Sequence, residues 1–264
     1  MKHKEQNLKI WLQSIELALP GLSKALQACG SEVMVIGASL MTAYSSLGWI
    51  PPLKRSTGDL DLSVTISPGR NDYEKLKQVL LDHHYCRDEH YLFRYCSPNR
   101  FPNQLNYIDL LAQPGPGVAA GEAILTMGSG PEFSFEGFDF AKKSAIRVDG
   151  HILFPNPFGF IALKRASYRD DPTRRRKDFA DILELIDGLV EKGTHYDLKD
   201  VWDEVKNEPD AHQVLMLLRA IALNKSTEWD IEDARNDLSS RGFSEQAISE
   251  GIFRAAGEFL LAIE

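Results

Sequence analysis

Asp59 and Asp61 stand two residues apart in Thr57-Gly58-Asp59-Leu60-Asp61-Leu62, a segment that reads as a strand. Side chains at i and i+2 of a strand share a face, so the carboxylates would lie side by side while Leu60 and Leu62 enter a core. Residues 57–66 contain no lysine, arginine or histidine, so the segment supplies no cation of its own. Acids paired in this way suit a divalent ion, which takes hard oxygen ligands. A third oxygen is available from Asn106-Tyr107-Ile108-Asp109-Leu110-Leu111, where Ile108 and Leu110 face one side and Asp109 the other. If that strand lies beside the Leu60 strand, Asp59, Asp61 and Asp109 would hold two Mg2+ ions, with Mn2+ as a substitute. Alone, an Asp-x-Asp pair is a weak signal, and a single strand-end aspartate is more often paired with a nearby arginine.

Upstream, the apolar run Val33-Met34-Val35-Ile36 ends in Gly37-Ala38-Ser39 at the start of an amphipathic segment. A glycine admits close backbone approach, and amides at a helix start point at anions. The Ser39 hydroxyl could donate to a phosphate or act as an ordinary helix cap. The turn is neither a Walker loop nor a nucleophile elbow, because no Gly-Lys-Ser/Thr follows and position 41 is Met41. Turn and acids together predict a protein that handles a nucleoside triphosphate (NTP) with Mg2+.

The elements that must position these residues follow from periodicity and breakers. Residues 7–29 read as helix interrupted at Pro20, 33–36 as a buried strand, 39–47 as a helix closed by Gly48, and 60–66 as a strand. Residues 72–83 read as helix, 85–95 as a strand or hairpin arm, and 105–111 as a strand leading into a flexible Gln113–Gly117 loop. A Gly-rich irregular stretch precedes strands near 132–138 and 144–154. From Pro155-Asn156-Pro157 the pattern turns helical, with helices over 158–168, 173–192, 198–208, 211–223 and 244–263. The expected fold class is α+β, a mixed sheet flanked by helices over residues 1–154, then a helical domain over 155–264.

Composition sets outer bounds. The 264 residues are 43% hydrophobic and 26% charged, as in an ordinary folded protein. No apolar run approaches the roughly 20 residues of a membrane span, and Met1–Gln6 is polar, unlike a signal peptide. The three cysteines match no zinc spacing and read as structural thiols in a reducing cytoplasm. A net charge of −8 argues against a nonspecific nucleic-acid coat. One basic island interrupts it, with Lys164, Arg165, Arg169, Arg174, Arg175, Arg176 and Lys177 against Asp170 and Asp171. That island is either a solvated helix face or an acceptor groove.

Gly37-Ala38-Ser39, Arg55-Ser56-Thr57-Gly58-Asp59-Leu60-Asp61-Leu62 and Asp109 resemble the signature of the polymerase-beta-type nucleotidyltransferase superfamily. The long interval between turn and acids resembles its AbiEii-type branch, the toxin component of abortive-infection and type IV toxin–antitoxin systems. Phe160-Ile161-Ala162-Leu163-Lys164-Arg165-Ala166 and Arg176-Lys177-Asp178-Phe179-Ala180-Asp181-Ile182 look like that branch's lysine helix and aspartate-rich helix. Ala38 departs from it, standing where a second glycine is common. The resemblance spans about residues 33–186 and implies a nucleotidyltransferase-type sheet with Asp59 and Asp61 on Mg2+ and Asp109 completing that metal site or acting on the acceptor hydroxyl. It further implies Gly37, Ala38, Ser39, Arg55, Thr57 and Lys164 on the nucleotide, with Asp178 orienting Lys164 or the acceptor. Without it, Lys164 reads as a surface lysine, and Asp178 and Asp181 as helix-face acids; Asp181 stays open between the two readings.

The implied activity is transfer of a nucleoside monophosphate from an NTP to an acceptor hydroxyl. One version is toxin-like, acting on RNA (a tRNA 3′ end is one candidate) or on a protein, and admits an antitoxin protein as partner. A second modifies a small hydroxyl compound of the antibiotic type, which an acidic protein would suit if the substrate is cationic. A third keeps the fold as a silent nucleotide-binding or interaction module, against which the intact acids argue. The expected setting is cytoplasmic, without membrane contact.

Overall fold

Val33–Ile36 forms strand β1, and all four of its residues are buried. A strand apolar at every position suits the inside of a sheet covered on both faces. In the computed structural model, which describes residues 2–53, 57–102, 104–128, 135–171, 175–224 and 231–264, β1 occupies such a place. It lies antiparallel to β2 (Asp59–Ile66) and parallel to β7 (Ile152–Phe154). With β3 (Cys86–Arg87), β4 (Arg94–Cys96), β5 (Tyr107–Pro114) and β6 (Ile146–Val148), the sheet has seven strands in the order β3-β4-β5-β2-β1-β7-β6. Mixed strand directions and flanking helices make the fold α+β.

The chain forms two compact units. The first contains Met1–Ala43, Ser56–Phe135 and Ile146–Phe154; the second contains Tyr44–Arg55, Glu136–Ala145 and Pro155–Glu264. In the first, helices α1 (Lys2–Ile15) and α2 (Leu22–Ala28) lie either side of Pro20, and α4 (Asp72–Asp82) follows β2. Trp11 of α1 meets Phe154 edge-on with ring centroids 5.7 Å apart, and its indole N–H donates to Thr42 at 3.0 Å. Thr42 lies on α3 (Ser39–Ser46). That helix ends at Gly48, in the left-handed region at φ 73°. Gly48 N–H donates to Ser45 and Trp49 N–H to Tyr44, while the Tyr44 and Trp49 rings pack 5.5 Å apart. These paired bonds and the apolar contact define a Schellman stop.

In the second unit, α6 (Phe138–Lys143) precedes α7 (Pro157–Asp170) and α8 (Arg176–Glu191). Asn156 caps α7 by accepting from Gly159 N–H at 2.9 Å, and Pro157 takes the first helical position. This is why Pro155-Asn156-Pro157 starts a helix and does not break one. A 3-10 turn (Thr194–Leu198), α9 (Lys199–Val205), α10 (Ala211–Ala222), α11 (Ile231–Ser240), a π-helical turn (Ala247–Gly251) and α12 (Ile252–Ile263) complete the unit.

Several sequence expectations are corrected. The stretch read as irregular contains α5 (Ala120–Met127), which buries only Ala123 and Met127 and so carries little periodic signal. The strand expected near 132–138 falls partly on residues 129–134, outside the described residues, and Phe138 opens a helix. The Phe-x-Phe spacing there imitates strand alternation. Gly137 turns the chain at φ 82° with its Cα hydrogens against Ala162 backbone, and α6 packs on α7. β5 continues through Gln113 to Pro114, paired with Ile66, where a flexible loop was expected. α11 went unread because its polar sequence buries Ala234 and Leu238 among few other apolar residues. Among the described residues, no helix is long and apolar enough to cross a membrane.

Candidate metal centre

β2 and β5 run parallel in a register that sets Asp61 beside Asp109 and Asp59 beside Tyr107. Residues in register share a face, so the acids of the two strands meet. One oxygen from each of Asp59, Asp61 and Asp109 lies within 4.8 Å of the others. Leu60, Leu62, Ile108 and Leu110 fill the opposite face and are fully buried. Asp109 is buried, and Asp59 and Asp61 are half-buried. Three hard oxygen donors within reach of one ion could hold a divalent cation such as Mg2+ or Mn2+.

The backbone opposite is shaped to admit one of these acids. Gly37 ends β1 at φ 72°, a conformation that L side chains resist. A β-carbon built there would lie 2.7 Å from Asp61 Cγ and overlap the carboxylate. Thr57 steadies the next acid, donating its hydroxyl to Asp59 Oδ1 at 2.9 Å. Ser39 is fully buried at the Gly37 turn, and its hydroxyl donates back to the Ile36 carbonyl at 3.1 Å. Ala38 is half-buried in the same turn, and Arg55 lies outside the described residues.

Residues 57–66 supply no cation, but a neighbouring strand does, and it gives Asp109 the arginine partner that the sequence left as the alternative reading. β4 pairs antiparallel with β5 and sets Arg94 opposite Asp109. Arg94 Nε donates to Asp109 Oδ1 and Nη2 to Asp109 Oδ2, both at 2.7 Å, and Nη2 also reaches Asp59 Oδ2 at 3.2 Å. The Asp109 bond outweighs burial and raises the guanidinium pKa above its ordinary value. Its central carbon lies 4.9 Å from the Tyr107 ring centroid and 5.3 Å from that of Tyr91, within cation–π range. Sequence reasoning missed Arg94 because the contact is made across strands. Alternation in Arg94-Tyr95-Cys96 was the available signal, and it does not say which neighbour the strand will pair with.

In the second unit, Lys164 lies on α7 and Asp178 and Asp181 lie one turn apart on α8. Lys164 Nζ is 2.6 Å from Asp178 and 2.8 Å from Asp181, with all three side chains buried. Burial disfavours the charged amine, but the two carboxylates overcome it and raise the Lys164 pKa. Asp178 also accepts from Ser167 at 2.8 Å, and Asp181 pairs with Arg241 at 2.9 Å. The chain thus brings Lys164 and Asp178 together, and adds Asp181 and Arg241 to them. Other members of the basic island are engaged too: Arg165 pairs with Glu136 at 3.1 Å, and Arg169 pairs with Glu136 and Asp170. Arg175, Arg176 and Lys177 are exposed, and Arg174 lies outside the described residues.

No family model, no curated protein and no solved structure matches the chain. The chemistry of the site therefore rests on its own residues: a metal-competent acid cluster with a guanidinium built into it.

Proposed function

We propose that the protein is a divalent-metal-dependent nucleotidyltransferase that moves a nucleoside monophosphate from an NTP to an acceptor hydroxyl. The observation that carries this reading is the meeting of Asp59, Asp61 and Asp109 within 4.8 Å on two parallel strands. The glycine turn that admits Asp61 supports it. Asp59, Asp61 and Asp109 would hold Mg2+, which when bound supplies charge neutralisation at the phosphates and alignment of the attacking and leaving oxygens. In the balanced reaction, the acceptor oxygen bonds to the α-phosphorus, the bond to the β-phosphate oxygen breaks, pyrophosphate leaves and the hydroxyl proton passes to solvent or a carboxylate.

The chain's own groups do the positioning. Gly37 lets the Asp61 carboxylate lie against the turn after β1, Thr57 orients Asp59, and the sheet register fixes Asp61 beside Asp109. Such preorganisation spares the acids reorientation during reaction. In the second unit, Asp178 and Asp181 fix the place of the Lys164 amine. Lys164, Arg165 and Arg169 are paired with carboxylates, while Arg175, Arg176 and Lys177 are exposed and would be the part of the basic island open to an RNA acceptor.

The test offers each α-labelled NTP with Mg2+ to the full chain, with total RNA, total protein or aminoglycosides as acceptor. Label should move to one acceptor class, and chelation of the metal or Asp59→Ala or Asp61→Ala should abolish it. No transfer to any acceptor, together with no Mg2+-dependent NTP binding, would overturn the proposal.

A further inference from the structure

We infer that Arg94 is a resident cation that reserves Asp109 and limits the nucleotide-free acid cluster to a single divalent ion, held at Asp59 and Asp61. The inference rests on the metal-binding reading above and extends it to the number of ions and the order in which the ligands become available.

The two contacts Arg94 makes to the acids are unequal. Toward Asp109 it presents a fork, with Nε and Nη2 each 2.7 Å from a different carboxylate oxygen. A bidentate, charge-assisted pair of this geometry is among the strongest side-chain contacts. Toward Asp59 it makes one bond at 3.2 Å from a nitrogen already engaged with Asp109. Exposure follows the same order, with the Asp109 side chain at 7% and that of Asp59 at 31%. An arriving cation therefore displaces the long contact at the more exposed acid first, and the fork to the buried acid survives.

Charge points the same way. A second divalent ion, to use Asp109, would have to lie beside the guanidinium that already holds both of its oxygens. Like charges this close repel strongly where water is partly excluded. Tyr91 and Tyr107 hold the guanidinium in place at 5.3 and 4.9 Å. Arg94 is thus a positioning residue that acts through Asp109, orienting this acid while withholding it from the first ion.

Mn2+ binding to the full chain, followed by electron paramagnetic resonance without nucleotide, tests this directly. The native chain should take one ion, lost in Asp59→Asn. Arg94→Met should take a second ion, or bind the first roughly tenfold tighter, since a neighbouring positive charge is gone. Arg94→Lys, which keeps the charge and loses the fork, should fall between the two and serves if the methionine variant does not fold. A gain of ions cannot come from structural damage, which only weakens a site. Unchanged or weaker Mn2+ binding in both Arg94 variants, while Asp59→Asn still abolishes it, would overturn this inference and leave the metal site standing. Absence of Mn2+ binding in the native chain would overturn both.

Discussion

Gly37 and Asp61 occupy each other's space: a β-carbon on Gly37 would lie 2.7 Å from Asp61 Cγ, inside the carboxylate's own volume. The glycine is required twice, once for its positive φ and once for the acid it faces. Gly48 separates the two effects, because it has nearly the same φ of 73° and nothing within 4 Å of its missing β-carbon. Gly48→Ala should therefore cost about 1 kcal/mol of backbone strain, and leave metal binding intact. Gly37→Ala should cost about 1–3 kcal/mol more, and weaken Mn2+ binding by moving Asp61. Urea unfolding and Mn2+ titration of both variants check this; equal effects at the two positions would contradict it.

Lys164 tests a buried charge. Its amine lies between Asp178 and Asp181, and Asp181 is shared with Arg241. Lys164→Met leaves two buried carboxylates short of a cation and should cost about 3–5 kcal/mol in urea unfolding. Lys164→Arg should cost less, since it keeps the charge.

Asp72 gives an acid-sensitive term in the first unit. Burial pushes its pKa up, but bonds from Ser31 at 2.7 Å and Lys75 at 3.0 Å and the Arg70 charge prevail, lowering it to about 2. A carboxylate with a lowered folded pKa stabilises above its unfolded value near 4. That stabilisation fades as pH falls from about 4 to about 2, and screening through exposed Arg70 and Lys75 holds it to about 1–2 kcal/mol. Melting temperature against pH should therefore fall more steeply below pH ~4 in the native chain than in Asp72→Asn.

Gly188 lies in the middle of α8, where helix propensity alone would favour alanine. A β-carbon there would be 3.0 Å from Ile50 Cβ and 3.2 Å from Pro51 Cδ. Gly188→Ala should thus destabilise by about 1–2 kcal/mol through overpacking, and a stabilised variant in thermal melts would contradict the packing.

The acids were legible because strand alternation is local: Asp59 and Asp61 had to share a face, and Asp109 had to oppose Ile108 and Leu110. Val33–Ile36 and the helix after Asn156 were legible for the same reason, each carrying its signal in adjacent residues. Arg94 was not, because its role depends on β4 pairing with β5, a choice that no local pattern encodes. The Ser39 contact to the Ile36 carbonyl was not legible, since spacing places a hydroxyl at a turn without fixing its rotamer. Burial of Lys164 was likewise hidden, because it comes from packing of α7 on α8, which the periodicity of one helix does not encode.

Nucleotidyl transfer by these acids is tested most directly by following labelled phosphate from each end of the NTP. With Mg2+ and an acceptor, label from the α-phosphate should appear in the acceptor and label from the γ-phosphate in pyrophosphate. Asp61→Asn should lower the rate by at least about 100-fold, as loss of a metal ligand requires. Transfer of the γ-label to the acceptor, or α-label transfer that persists in both Asp59→Asn and Asp61→Asn, would contradict the account.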